Sequence, residues 1–343
     1  MTQAPTPTAD TVHRLVRSLL KDTKNTKEGN EGKEGKEAKA GTAVSNGNGN
    51  SGVSAAAGPD VRPVAEGAEH STWWVGTRHV LRLAPDRDAA VRQRRELRLR
   101  DVVRPHVPVA VPTSVAHGEW APGLTYTLDT KVPGGTAEQY DVSAVGEADL
   151  AGLLTGLREV PARQAETLGV PRAAPRSLEA LRRMAVPAAA ALAEADEFDA
   201  ARLTQLTPPG AAQLAAQPAG AVLVHHALRG EHLVVSADGR MRGVLDWTDA
   251  VLGDPAEDIA GLALAVGSGA AVRAATLAGY GARPCLRGLW LARCDALIRL
   301  AARVEGRDTG SLPLLRTQLR RAWEAILLER VSEFREDDTG EEL

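Results

Sequence analysis

Leu223-Val224-His225-His226-Ala227-Leu228-Arg229-Gly230-Glu231-His232-Leu233-Val234-Val235, followed shortly by Gly243-Val244-Leu245-Asp246-Trp247-Thr248-Asp249, is the stretch whose reading decides the fold. Short apolar runs alternate with a polar loop and with the turn Ala237-Asp238-Gly239, a pattern that predicts a short hairpin: Val222 to His225, Leu233 to Val235 and Arg242 to Asp246. The loop Ala227 to Glu231 is polar around one apolar side chain, Leu228, and a carboxylate, Asp246, closes the last strand. His225 and His226 are adjacent, so on a strand they would face opposite sides. No zinc, Ser-His-Asp or Cys-His constellation is spaced along the chain.

The chain has 343 residues, enough for a two-lobed fold with unstructured segments besides. Its apolar residues are mainly Ala, Leu and Val, and aromatics are scarce. A net charge of -3 gives no reason to expect nucleic acid or an anionic membrane as partner. No apolar run approaches the roughly 20 residues of a membrane span, and the N-terminus lacks a signal-peptide apolar core, which makes the cytoplasm the expected location. Two cysteines, Cys285 and Cys294, cannot build a disulfide framework. After Lys39 the only lysine is Lys131, so the body of the chain uses arginine for its positive charge.

Outward from the opening stretch, the organisation reads as follows. Asp10 to Leu20 is a short helix with Asp10 as N-cap and Val12, Leu15, Val16, Leu19 and Leu20 as its apolar stripe. About Asp22 to Gly58 is rich in Lys, Glu, Gly, Asn, Ser and Ala; it cannot bury enough apolar surface to offset its ordering entropy and is expected to be a disordered insertion. Strands are predicted at Val61 to Ala65, Thr72 to Val75, His79 to Leu83, Val109 to Ala116 and Leu124 to Lys131, with a helix from Asp88 to Arg100. The meander ends at a hinge, Val132-Pro133-Gly134-Gly135. Helices are predicted at Val145 to Arg158, Ser177 to Ala193 (kinked or broken at Pro187), Pro255 to Val266, Leu286 to Ala302 and Leu312 to Val331, before an acidic tail, Glu333 to Leu343.

With these elements placed, the chain resembles the aminoglycoside phosphotransferase family. The resemblance runs from about Val61 to Glu329 and takes in the N-terminal helix. It is most specific in two motifs. The family's His-x-Asp-Leu-x-x-x-Asn/His-Leu-Leu pattern appears as His225 to Val234, and its Asp-Trp-x-Asp/Glu-x-x-x-Gly-Asp-Pro-x-x-Asp pattern appears within Leu245 to Ala260. The resemblance implies an α+β fold class: a bilobal protein-kinase-like fold with a small antiparallel-sheet N-lobe and a larger helical C-lobe. The expected parts are a helix over 1–21, the insertion over 22–60, a nucleotide-binding N-lobe over 61–132, a catalytic and substrate C-lobe over 133–332, and the tail over 333–343.

Phosphoryl transfer needs metal ions on the terminal phosphates, a cation beside them, and a carboxylate that takes the acceptor's proton. The resemblance implies ATP or GTP as cofactor together with Mg²⁺. Asp246 matches the family's metal aspartate, a hard oxygen ligand suited to Mg²⁺. His232 stands where most kinase-like enzymes have a metal-binding asparagine, and a histidine there resembles the macrolide-phosphotransferase branch. It would hold a metal-bound water or a phosphate oxygen, or simply bond the loop backbone. His225 resembles the loop histidine that packs under the metal strand. Asp249 resembles a residue that supports the loop, Asp258 one that braces the region, and Asp254 before Pro255 reads as an N-cap. Arg82 occupies the phosphate-cation position of the third strand, with Glu96 as its helix partner. Gly67 lies in the turn, Glu66 to Ser71, that would cover the phosphates. Asp129 and Val132 flank the position where the family's base pocket sits.

Ala227 is the departure. The family's general base, an aspartate, belongs at this position, and a methyl group cannot accept a proton. Its loss typically slows transfer about 10²- to 10⁴-fold, or roughly 3 to 5.5 kcal/mol of barrier. Nearby substitutes are His226, Glu231 and Asp249. Three functions follow: a kinase for a hydroxyl of a small molecule such as an antibiotic, strongly impaired; a pseudokinase that binds nucleotide and regulates a peptide or protein partner; or a kinase for a peptide or other metabolite with a different base. The fold hosts all three and does not choose between them.

Overall fold

A computed structural model describes residues 7–19, 60–64, 72–216 and 221–326. The low-complexity stretch from Asp22 to Gly58, the turn that carries Gly67, and the acidic tail lie outside the described residues. The chain divides into two compact units, Met1–Gln93 with Thr113–Lys131, and Arg94–Pro112 with Val132–Leu343.

In the first unit, residues 9–19 form helix α1. Its cap is Thr8 rather than the expected Asp10: the Thr11 N–H donates to Thr8 Oγ1 at 3.3 Å, and Asp10 falls in the first turn. Strands β2 (Thr72–Val75) and β3 (His79–Leu83) match their predicted positions, and β1 (Val61–Pro63) starts as predicted but ends at Pro63. Helix α2 (Arg87–Val103) follows and runs from the first unit into the second. Strands β4 (Ser114–Ala121) and β5 (Leu124–Thr130) complete an antiparallel sheet in the order β1-β2-β3-β5-β4. One face is apolar: Trp73, Val75, Leu81, Leu83, Tyr126 and Leu128 pack with Val12 and Val16 of α1. The other face carries Arg82 opposite Thr127, and Val80 opposite Asp129.

The predicted strand from Val109 to Ala116 starts only at Ser114; Ala110 makes a single parallel bridge to Gly243. Pro108 and Pro112 have no N–H to give a ladder, which confines that segment to isolated pairing.

The second unit is mainly helical: α3 (Ala144–Glu159), α4 (Ala162–Thr167), α5 (Leu178–Glu194), α6 (Pro208–Gln213), α7 (Ala256–Val266), α8 (Ser268–Leu277), α9 (Ala282–Val304) and α10 (Leu312–Ala322). Helix α9 is central, packed by α5, α7 and α10. Helix α5 runs through Pro187 unbroken. The proline is on the exposed face, so the carbonyl it leaves without a donor faces water. Cys285 and Cys294 are free and buried in α9.

The predicted hairpin divides between two small sheets. Strand β7 (Val222–Val224) pairs with β10 (Val251–Gly253), while β8 (Leu233–Val235) lies between β6 (Gly135–Thr136) and β9 (Met241–Val244). The β8–β9 turn needs Gly239, whose φ of 77° disfavours a side chain. The loop from His225 to His232 therefore hangs between two separately paired strands, and the segment from Leu245 to Ala250 does the same on the return. Among the described residues no helix is long and apolar enough to cross a membrane.

Candidate active site

The loop is held from beneath by one carboxylate. Asp258, in the first turn of α7, accepts the His225 N–H on Oδ2 and the His226 N–H on Oδ1, each at 2.8 Å. It is 2% exposed. Burial pushes its carboxyl up to about 7 against the pull of those two donors. His226 takes a left-handed φ of 65°, a conformation that costs an L-residue roughly 1–2 kcal/mol, and the paired N–H bonds hold it there.

The His225 ring is fully buried, with Nε2 3.1 Å from the Leu245 carbonyl and its edge against the Trp247 ring at 4.5 Å. Burial drives its pKa down to about 3, so the ring is neutral. A carbonyl only accepts, which assigns the proton to Nε2 and leaves Nδ1 as a buried lone pair without a hydrogen bond.

Ala227 is 4% exposed, and its carbonyl accepts from His232 Nδ1 at 2.8 Å and from the Arg229 N–H. That bond settles one half of the imidazole. In the neutral ring Nδ1 carries the proton and Nε2 presents a lone pair, 3.7 Å from Asp246 Oδ2. The two alternatives for His232 are thus compatible on its two nitrogens. Glu231 Oε1 stands 3.7 Å from the same Nε2. Glu138 lies nearby against Gly230, and its carboxyl is raised by partial burial and then by the charge of Glu231.

Asp246 also has a left-handed φ, 59°, and its Oδ1 accepts from the Thr248 hydroxyl. Among the described residues no group of three or more His, Cys, Asp or Glu is arranged to hold a metal ion alone. Asp246 offers a hard oxygen of the kind Mg²⁺ takes, and the lone pair on His232 Nε2 suits a hydrogen bond from a metal-bound water rather than direct coordination. Asp249 is exposed on the turn that follows; the hydrogen bonds beneath the loop come from Asp258. Asp254, expected as the N-cap, stands one residue before the cap, Pro255: its Oδ1 accepts the Ala256 N–H at 3.0 Å, and Oδ2 pairs with the buried Arg287.

Glu96 is 1% exposed, and its Oε1 accepts from Arg100 Nε at 3.0 Å and from the Trp247 N–H at 3.2 Å. Sequence reasoning paired it with Arg82 and missed these partners. The Glu96–Arg100 spacing of four along a helix was a usable signal; nothing in the sequence linked either residue to Trp247. Arg82 sits part-buried on the polar face of the β-sheet unit. On that face Asp129 is 4% exposed and accepts from the Ser114 and Thr127 hydroxyls. Val132 lies against Gly243 of β9.

An antiparallel sheet unit, and a helical unit bearing a braced histidine loop beside an aspartate turn, define the class of kinase-like phosphotransferases. The chain belongs to the phosphotransferase enzyme family, whose model matches residues 60–289. A comparison with curated proteins gave no match. Solved structures share the fold at low identity. Wild-type aminoglycoside 2'-phosphotransferase-IIIa in complex with GDP is 18% identical, with a TM-score of 0.56 over 78% of this chain and 93% of that one. APH(2")-IIIa with GDP and kanamycin is 18% identical, with a TM-score of 0.53 over 80% and 93%. Macrolide 2'-phosphotransferase MphH from Brachybacterium faecium is 22% identical, with a TM-score of 0.51 over 78% and 93%.

Proposed function

We propose that the chain binds ATP or GTP with Mg²⁺ and is built to transfer the terminal phosphoryl group to a hydroxyl of a small molecule, a transfer slowed severely by Ala227. The observation that carries this reading is the state of the surroundings. The loop is held around a residue with no proton acceptor: Asp258 accepts from the His225 and His226 amides, and His232 bonds the Ala227 carbonyl with its other nitrogen towards Asp246.

Mg²⁺ supplies charge neutralisation on the transferring phosphates. Asp246 is the carboxylate that would hold it, and His232 Nε2 would accept a hydrogen bond from one of its waters. His225 ties the segment after β9, which carries Asp246, to the loop, and Asp258 holds the loop in its left-handed turn. The acceptor's proton has no carboxylate to receive it at position 227 and leaves to water. Aminoglycosides and macrolides, the substrates named for the structural neighbours, are the first acceptors to test.

Titration calorimetry with ATP and with GTP, each with and without Mg²⁺, tests the nucleotide half of the proposal. Binding that is tighter with Mg²⁺ is expected. No binding heat with either nucleotide at millimolar concentration would rule the proposal out.

A further inference from the structure

We infer that Arg95 on α2, and Arg100 acting through Glu96, are positioning residues for the metal carboxylate Asp246. This rests on the phosphotransferase reading above and assigns a role to groups outside the two sequence motifs. Asp246 sits in a left-handed conformation. A single residue so placed stays there only if the residues around it are held from outside. The strand side is held by the His225 ring on the Leu245 carbonyl. The far side is held by α2. Arg95 Nη2 donates to the Thr248 carbonyl at 2.9 Å, and its Nη1 reaches the Gly169 carbonyl at 3.3 Å. The next residue, Glu96, accepts the Trp247 N–H. Two neighbouring side chains of one helix thus grip the two residues that follow Asp246.

Glu96 is buried, and a lone buried carboxylate would be unstable. Arg100, one turn on and 2% exposed, supplies its counter-charge through Nε and Nη2 on the same Oε1 that accepts from Trp247. The clamp is therefore a relay: Arg100 sets Glu96, Glu96 sets the Trp247 amide, and Arg95 sets the Thr248 carbonyl. Arginine is needed at position 95 because one planar guanidinium spans two carbonyls from different segments, which an ammonium does not.

Arg95→Met is the test variant, because Arg95 is only part-buried and its removal strands no buried charge. Arg100→Met, which would remove a buried charge that pairs with the buried Glu96, is a poorer choice. Hydrogen exchange read by mass spectrometry reports the clamp directly. Protection of the amides from Trp247 to Asp249 should fall at least tenfold in Arg95→Met while protection in α9 is unchanged. In parallel, the gain in nucleotide affinity on adding Mg²⁺ should fall at least tenfold, affinity without Mg²⁺ should hold, and Arg95→Lys should recover only part of the loss. Unchanged protection and an unchanged Mg²⁺ effect in Arg95→Met, with a wild type that binds Mg²⁺ and nucleotide together, would overturn the positioning role alone. A wild type with no such binding would overturn the role together with the functional reading.

Discussion

At the residue scale, the site is a set of oriented groups around one missing carboxylate. Ala227 contributes its carbonyl, which fixes His232, and a methyl that can accept nothing. Asp246 and His232 then carry separable predictions. Asp246→Asn should abolish the gain in nucleotide affinity on adding Mg²⁺ while leaving Mg²⁺-free binding intact, as read by calorimetry. His232→Ala should weaken that gain about 10- to 100-fold, the range for groups that orient a metal site; an unchanged gain in both variants would remove the pair from the metal site. His225 and Asp246 were legible in the sequence because both sit in long motifs with fixed spacing. The second role of His232 was not. Its Nδ1 bond to the Ala227 carbonyl depends on how the chain folds back over five residues, which no composition or periodicity records.

At the scale of elements, α7 and the loop share one buried carboxylate, and its titration opposes that of the histidine it holds. The His225 pKa is lowered from 6.5 to about 3. Between those values the unfolded chain takes up a proton that the native ring refuses, so stability is lost as pH falls below 6.5. Asp258 is raised from 3.8 to about 7. Over that window the native state keeps a proton that the unfolded chain gives up, so stability is lost as pH rises towards 7. The two slopes largely cancel between about pH 4 and 6.5. Asp258→Asn should cost about 1–3 kcal/mol, since one backbone donor then faces an amide N–H₂. It should also leave the His225 slope exposed, with stability climbing by up to about 1.4 kcal/mol per pH unit between roughly pH 3 and 6.5. Urea unfolding across pH checks both; a variant with a flat profile would contradict the assignment. Elements with strong periodicity, such as β2, β3 and α3, were readable from the sequence within a residue or so. The bounds of α5 were equally readable, but its continuity was not, because whether Pro187 breaks a helix depends on which face it occupies. Helix α8 passed unnoticed: Ser268-Gly269-Ala270-Ala271 has little apolar contrast to mark a stripe.

At the scale of the whole molecule, the choice of arginine over lysine becomes intelligible. Arg287, 2% exposed, reaches Asp254 through Nε, the Leu214 carbonyl through Nη1 and the Arg176 carbonyl through Nη2. Arg176 in turn pairs with Glu257 and Asp295. One planar fork ties the start of α7, the end of α6 and the segment before α5, which a point charge does not do. Arg287→Met should cost about 3–5 kcal/mol, the range for removing one partner of a buried pair, and Arg287→Lys, which keeps the charge but leaves buried carbonyls unpaired, about 1–3 kcal/mol, as measured by chemical denaturation; a loss below about 1 kcal/mol in the lysine variant would show the fork to be dispensable. The arginine bias was visible in the sequence, but its reason was not, since Glu96 and Trp247 are 151 residues apart and Arg176 and Asp295 are 119 apart. The family and the identity of the loop were legible because function concentrates them in contiguous motifs, whereas the network that holds the motifs in place is spread along the chain. The most direct test of the account is the rate of phosphoryl transfer to hydroxylated antibiotics from Mg²⁺-nucleotide, measured side by side for the wild-type chain and Ala227→Asp. The account predicts an increase of about 10²- to 10⁴-fold in the variant. A variant that binds the same nucleotide as tightly and transfers no faster would contradict it.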